Sequence, residues 1–201
     1  MEVGKFPASL LERILAKVDI SDPRVVVGPR VGEDTAVLQT SGSLLVAKSD
    51  PVTFATDQIG WYAVQVNAND VACTGGTPKW FLATLLVPER FTEDEAEAVF
   101  DQITEACRSI DVSLVGGHSE VTYGIDRPII MGTMLGEVEQ DKLILTGGAQ
   151  EGDSIVVTKG IAIEGTALLA REKASQLLQA GMSQEEIDKA ASLLSVPGIS
   201  V

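Results

Sequence analysis

The sequence predicts an α/β (α+β) fold from three observations. Apolar runs of strand length alternate with segments whose apolar residues recur at helical spacing. Gly and Pro clusters punctuate the junctions, and two capping-box patterns, Thr92 with Glu95 and Ser183 with Glu186, announce helix starts. No solenoid-period repeat and no low-complexity tract breaks the succession.

Taken in order, P-A-S-L-L-E-R-I-L-A-K-V places Leu10, Leu11, Ile14, Leu15 and Val18 on one helical stripe, with Ser9 as N-cap. An apolar triplet and an acidic Gly/Pro loop follow. T-A-V-L-Q and S-L-L-V-A-K then read as strands of a hairpin turning at Ser41 and Gly42. The segment 59–73 is helical, with Ile59, Tyr62, Ala63, Val66, Val71 and Ala72 near one face and Gly75 and Gly76 as breakers. K-W-F-L-A-T-L-L-V-P is a mostly buried strand stopped by Pro88, and the Thr92 capping box opens a helix running to about Ser109. S-L-V-G-G-H-S-E-V and P-I-I-M-G-T-M-L-G-E-V supply two further strands, the first with a tight glycine turn inside it.

Around 143–152 the chain becomes turn-rich, which predicts a domain boundary: an N-terminal domain over 1–145 and an incomplete C-terminal one over 150–201, read as strand, helix, helix. S-I-V-V-T-K is the strand, and the apolar ending 196–201 suits an interrupted one. About fifty residues hide too little surface to stand alone, so this part must lean on the first domain or on another chain.

With 201 residues and 45% apolar content the chain is globular. Its formal charge of −14 argues against nucleic acid or an anionic membrane as the main partner, so an anionic ligand needs a metal or local dipoles. The N-terminus lacks a basic-then-apolar leader and no apolar run spans a bilayer, which predicts a cytoplasmic protein. Cys73 and Cys107 have no metal or disulfide spacing and read as small buried residues; a single histidine, His118, excludes a His-rich metal site.

Four polar breaks each carry an acid: V-G-E-D-T-A, A-K-S-D-P, N-A-N-D-V and G-G-H-S-E. Hard dications take oxygen ligands and bridge to phosphates, so Asp34, Asp50 and Asp70 are candidate Mg²⁺ ligands. The residue types equally allow Asp34 and Asp50 to be turn residues and Asp70 to face solvent. Asp70 poses its own problem, since a carboxylate near a helix C-terminus opposes the macrodipole. Gly32, Gly116 and Gly117 let backbone N–H groups approach phosphate oxygens, whereas no Walker or dinucleotide glycine motif occurs. Lys159 and Gly160 sit at a helix start, where either an anion or an ordinary strand-to-helix turn fits. No catalytic side chain stands out.

In combination, G-E-D-T-A-V at 32–37, K-S-D-P at 48–51, N-D-V-A-C-T-G-G-T-P at 69–78 and V-G-G-H-S-E-V at 115–121 resemble the ATP-binding superfamily of aminoimidazole ribonucleotide (AIR) synthetase. That superfamily includes HypE, selenophosphate synthetase and thiamine-monophosphate kinase. G-K-F-P at 4–7 and T-K-G-I-A-I-E-G-T-A at 158–167 look most like its HypE-like, AIR synthase-related branch. The resemblance implies a PurM-like N-terminal domain whose mixed sheet forms a barrel across a homodimer, with ATP near the interface. A second α+β domain would complete the cleft. By position, Asp34, Asp50 and Asp70 would hold Mg²⁺ and through it ATP, with Gly32 and Asn69 beside them. Gly116, Gly117, His118 and Ser119 stand where many members have Gly-Gly-Asp-Thr or Gly-Gly-Glu-Thr, so His118 replaces an acid and Glu120 is the nearby substitute.

The implied function is ATP-dependent activation of an oxygen or amide in a small molecule or a protein maturation substrate, as in hydrogenase maturation. The chain departs from the family in lacking the C-terminal cysteine of HypE, the reactive N-terminal Cys of selenophosphate synthetase and any recognisable thiamine phosphate pocket. It is also shorter than members that run past 300 residues. The alternative readings are a non-catalytic dimerisation or regulatory module, or a fragment of a longer enzyme.

Overall fold

The computed structural model describes residues 5–200. Helix α1 (Ala8–Leu15) begins at Pro7 and not at Ser9, because the proline ring presets a φ of −53° and has no N–H to satisfy. None of α1 is fully buried. Strands β1 (Val25–Val27), β2 (Ala36–Gln39) and β3 (Leu44–Val52) pair antiparallel in sequence, and β2–β3 is the predicted hairpin. Helix α2 (Ile59–Cys73) leads to β4 (Thr77–Val87), α3 (Glu93–Ser109) to β5 (Ser113–Val121), and β6 (Ile129–Val138) closes the sheet.

The six strands lie in the order β1-β2-β3-β6-β4-β5. β6 is antiparallel to both its neighbours, so β3 and β4 run the same way with β6 between them, and α2 is the crossover that joins them. β4 and β5 are parallel, joined by α3. Thr92 and Glu95 form the predicted capping box, each satisfying a backbone N–H that the first turn of α3 would otherwise leave free. α2 is apolar on most sides, since it is sandwiched between the sheet and α3: Ile59, Ala63, Val64, Ala68 and Val71 are all fully buried. Phe81, Ile103, Ile130 and Met134 complete that layer, each contributing about 1.5–3 kcal/mol by leaving water.

Beyond β6 come α4 (Ile163–Glu172), α5 (Ala174–Gln179) and α6 (Gln184–Ser192), the last opened by the predicted Ser183–Glu186 box. Ala167, Leu194 and Ile199 join the same hydrophobic core as the sheet. These helices therefore pack on the N-terminal layer.

Several expectations need correction. No turn interrupts β5: Gly116 and Gly117 stay in the strand, and an added Cβ on Gly117 would lie 1.9 Å from the Ala83 carbonyl oxygen, so the glycine serves close strand approach. Residues 154–159 form no strand, as no described strand offers them a ladder, and Ile155 is 96% exposed. Between the two helices expected after 160, α4 and α6, the chain forms a third short one, α5, that was not expected. Residues Leu194–Gly198 form a kinked turn, broken by the extended Val196, where an interrupted strand was expected, because Leu194 and Ile199 are drawn into the core; Val201 lies outside the described residues. Cys107 is buried but Cys73 is exposed at the end of α2.

Candidate functional site

Strand periodicity sets up the site. Alternation puts Leu44, Val46, Lys48 and Asp50 on one face of β3, the face covered by α2. Leu44 and Val46 fill core, but Lys48 is an ammonium only 9% exposed and must find partners. It finds three. Its Nζ lies 2.7 Å from Asp70 Oδ2, 3.6 Å from Asp50 Oδ2 and 4.0 Å from Asp34 Oδ1.

Each carboxylate reaches this point from a different element. Asp34 sits on the loop that turns at Gly32, whose φ of +94° suits glycine, just before β2. Asp50 is held by Asn67, a fully buried residue of α2: Asn67 Oδ1 accepts the Asp50 N–H at 2.9 Å, while Nδ2 donates to the carbonyls of Asp50 and Ala63. Gly132, opposite Asp50 on β6, makes room for this, since a Cβ there would come within 2.4 Å of Asn67 Nδ2. Asp70 is in the last turn of α2, a turn with no basic residue of its own. The Lys48 ammonium arriving from β3 offsets its clash with the helix dipole.

The charges shift one another. Burial depresses the Lys48 ammonium, but the Asp70 hydrogen bond and the charges of Asp70, Asp50 and Asp34 outweigh it and leave its pKa above the usual lysine range. Asp70 is also raised, by burial first and by Asp34 and Asp50 in addition, against the opposing pull of Lys48. The neighbouring carboxylates contribute to both shifts, while burial is the larger cause for Asp70.

The cluster forms one end of a cleft of about 820 Å³, a size suited to a nucleotide-sized ligand. Glu164, from α4, adds a fourth carboxylate; its surface is open to the cleft, yet enclosure by the walls and the charges of Asp50 and Asp70 raise its pKa. Phe54, Val66 and Leu168 make the apolar wall, and Lys5 and Phe6 line it too. Tyr62 also lines the cleft, with a buried hydroxyl that has no hydrogen-bond partner among the described residues and a pKa pushed by burial to about 12.

The structure thus brings together Asp34, Asp50 and Asp70, with Gly32 in the Asp34 loop, while the other expected residues point or lie elsewhere. Asn69 turns to the later chain, donating to the Ile199 carbonyl at 2.7 Å. Gly116, Gly117, His118 and Ser119 lie on β5, with β6 and β4 between them and β3, beside a separate hollow. There His118 Nε2 pairs with Glu120 Oε2 at 2.9 Å. Lys159 is not at the first turn of α4 and donates to the carbonyls of Gly198 and Ser200. Lys48, Asn67 and Glu164 escaped the sequence reading. Alternation would have found Lys48, as the charged member of an apolar face; Glu164, a long stretch of chain away, gave no such signal.

The donor set is chemically that of a hard dication, carboxylate oxygens from three elements, arranged here around the Lys48 ammonium. Among the described residues no trio of acidic, thiol or imidazole groups stands in metal-ligating geometry by itself. Among the same residues no helix is long and apolar enough to cross a membrane.

A protein of Methanocaldococcus jannaschii named for hydrogenase expression and formation is 30% identical over 176 residues, covering 84% of this chain and 52% of its own. The thiamine-monophosphate kinase of Bacillus subtilis is 33% identical over 118 residues, 58% of this chain and 36% of its own. The chain spans about half the length, or less, of these curated relatives. Among solved structures, that of AaThiL complexed with AMPPCP and TMP shares the fold at a TM-score of 0.69 and 22% identity, over 92% of this chain and 55% of that one. The family model for the AIR synthase related protein, N-terminal domain, matches residues 32–138, a stretch that holds Asp34, Asp50, Asp70 and all the strands from β2 to β6, and the chain belongs to that family.

Proposed function

We propose that this chain binds ATP with Mg²⁺ in the cleft and activates an oxygen or amide of a small molecule or a maturing protein by phosphoryl transfer. The observation that carries the reading is the convergence of Asp34, Asp50 and Asp70 on one cation position at the end of an apolar cleft. When bound, the metal neutralises phosphate charge; such catalysis rests on positioning and electrostatics. Asp34, Asp50 and Asp70 would hold it, Asn67 fixes Asp50, and Phe54, Val66 and Leu168 supply an apolar wall to the cleft. The relative solved with AMPPCP, an ATP analogue, supports the nucleotide, and the kinase and hydrogenase-formation names of the relatives support an acceptor of either kind.

In this reading residues 1–145 are the nucleotide-binding and dimerisation part and 150–201 open a second α+β domain, in a cytoplasmic protein. The homodimer forms through the sheet, with Gly116, Gly117, His118 and Ser119 serving a nucleotide held by a neighbouring copy, since two strands separate them from Asp50.

Calorimetric titration of ATP with and without Mg²⁺ tests this. Saturable binding should require the metal, and Asp70→Asn should abolish it while far-UV circular dichroism stays unchanged. Metal-independent binding, or full affinity in the variant, would overturn the assignment.

A further inference from the structure

We propose that Lys48 is a built-in placeholder for the dication: its ammonium holds the three aspartates together while no metal is present, and the arriving metal displaces it. The inference rests on the Mg²⁺ reading above and adds to it a competition between two cations for one set of oxygens.

Geometry is the basis. Three carboxylates from a loop, a strand and a helix end point at a single Nζ, at 4.0, 3.6 and 2.7 Å respectively. Only the Asp70 contact is at full hydrogen-bonding distance; the other two are longer, as expected of a four-carbon stem reaching into a basket wider than one ammonium. Without a cation the three would repel and spread, and Asp34 is the most exposed of them. A point charge on a flexible stem fills the position well enough to keep the basket formed. It also adds one positive charge to a place that a dication must enter, so a metal cannot share all three oxygens while Nζ stays where it is. Glu164, facing the cluster across the cleft, leaves the local charge negative even with Lys48 in place, which favours the exchange of a single charge for a double one.

The test uses the full chain, MgCl₂ alone as the probe, and Lys48→Met, which keeps length and volume but removes the charge. Calorimetry should give Mg²⁺ binding about tenfold tighter, or more, in the variant than in the wild type, because the competitor is gone. In EDTA the variant should melt at a lower temperature than the wild type, and saturating Mg²⁺ should close that gap. Lys48→Gln, less disruptive to fold, should shift both quantities in the same directions.

Equal or weaker Mg²⁺ affinity in both variants would overturn the placeholder role, as would a melting gap that magnesium leaves unchanged. Wild-type chain that binds Mg²⁺ tightly, together with variants that lose ATP but not Mg²⁺, would mean that Lys48 is a phosphate contact instead and would sink the inference while sparing the metal site. Absence of Mg²⁺ binding in all three proteins would remove the metal reading and this inference with it.

Discussion

Asn67 carries more of the site than its uncharged side chain suggests. It is fully buried, and it satisfies both backbone polar groups of Asp50 as well as the Ala63 carbonyl. Replacing it with Leu fills the same space but strands the N–H and C=O of Asp50 away from water, at about 1–3 kcal/mol for each unsatisfied group. Asn67→Leu should therefore lower the urea midpoint by an amount equivalent to about 2–4 kcal/mol and weaken Mg²⁺ binding, because Asp50 is no longer aimed. A midpoint within error of wild type would show that Asn67 is incidental. Asn69, two residues on and prominent in the sequence, ties the α2 end to the turn near Ile199 instead. The sequence made the aspartates legible through their loops, but a buried asparagine inside a helix leaves no pattern. Lys48 did leave one, in the alternation of β3, though a lysine among acids invites the plainer reading of a solvated charge.

At the scale of elements, α4 is fastened to the loop before α2 by its last turn. Glu172 accepts hydrogen bonds from the backbone N–H of Thr56 and Asp57 and from the Thr56 hydroxyl, and Arg171 pairs with Asp57. Burial alone would raise the Glu172 pKa, but these donors prevail and hold it below the ordinary glutamate value. A depressed carboxylate contributes stability in full above its unfolded pKa of about 4.3 and loses it as the pH falls through the folded value. Glu172→Gln should cost about 1–2 kcal/mol at pH 7, and urea titrations should find that difference shrinking below about pH 4; a constant difference across that range would refute the linkage. Elements with strong local signals, such as the capping boxes at Thr92 and Ser183 and the β2–β3 hairpin, were legible before any coordinates. Those whose state depends on a neighbour were not: 116–117 read as a turn because glycine pairs mark turns, while here Gly117 permits contact with Ala83, and 154–159 has strand composition with nothing to pair against.

At the scale of the molecule, the described residues cover one face of the sheet only. α2 and α3 hide Phe81, Ala83, Ile130 and Met134, while Met131 on the opposite face is 45% exposed and every residue of β5 is exposed. Among the described residues β5 pairs with β4 alone, so its outer edge is a template for another strand. Light scattering at micromolar concentration should report a dimer, and a charged residue in place of Val115 on that edge should return it to the monomer; a wild-type monomer would refute assembly through this sheet. The open edge has a consequence for ionic strength. Each copy carries a formal charge of −14, so two copies approaching edge to edge repel over the Debye length, which shrinks from about 30 Å at 0.01 M salt to about 8 Å at 0.15 M. Association held by backbone ladders and apolar side chains, and opposed by like charge, tightens as salt is added. Assembly of the proposed dimer should therefore be governed from outside by its counterions, in the direction opposite to that of a complex built on salt bridges.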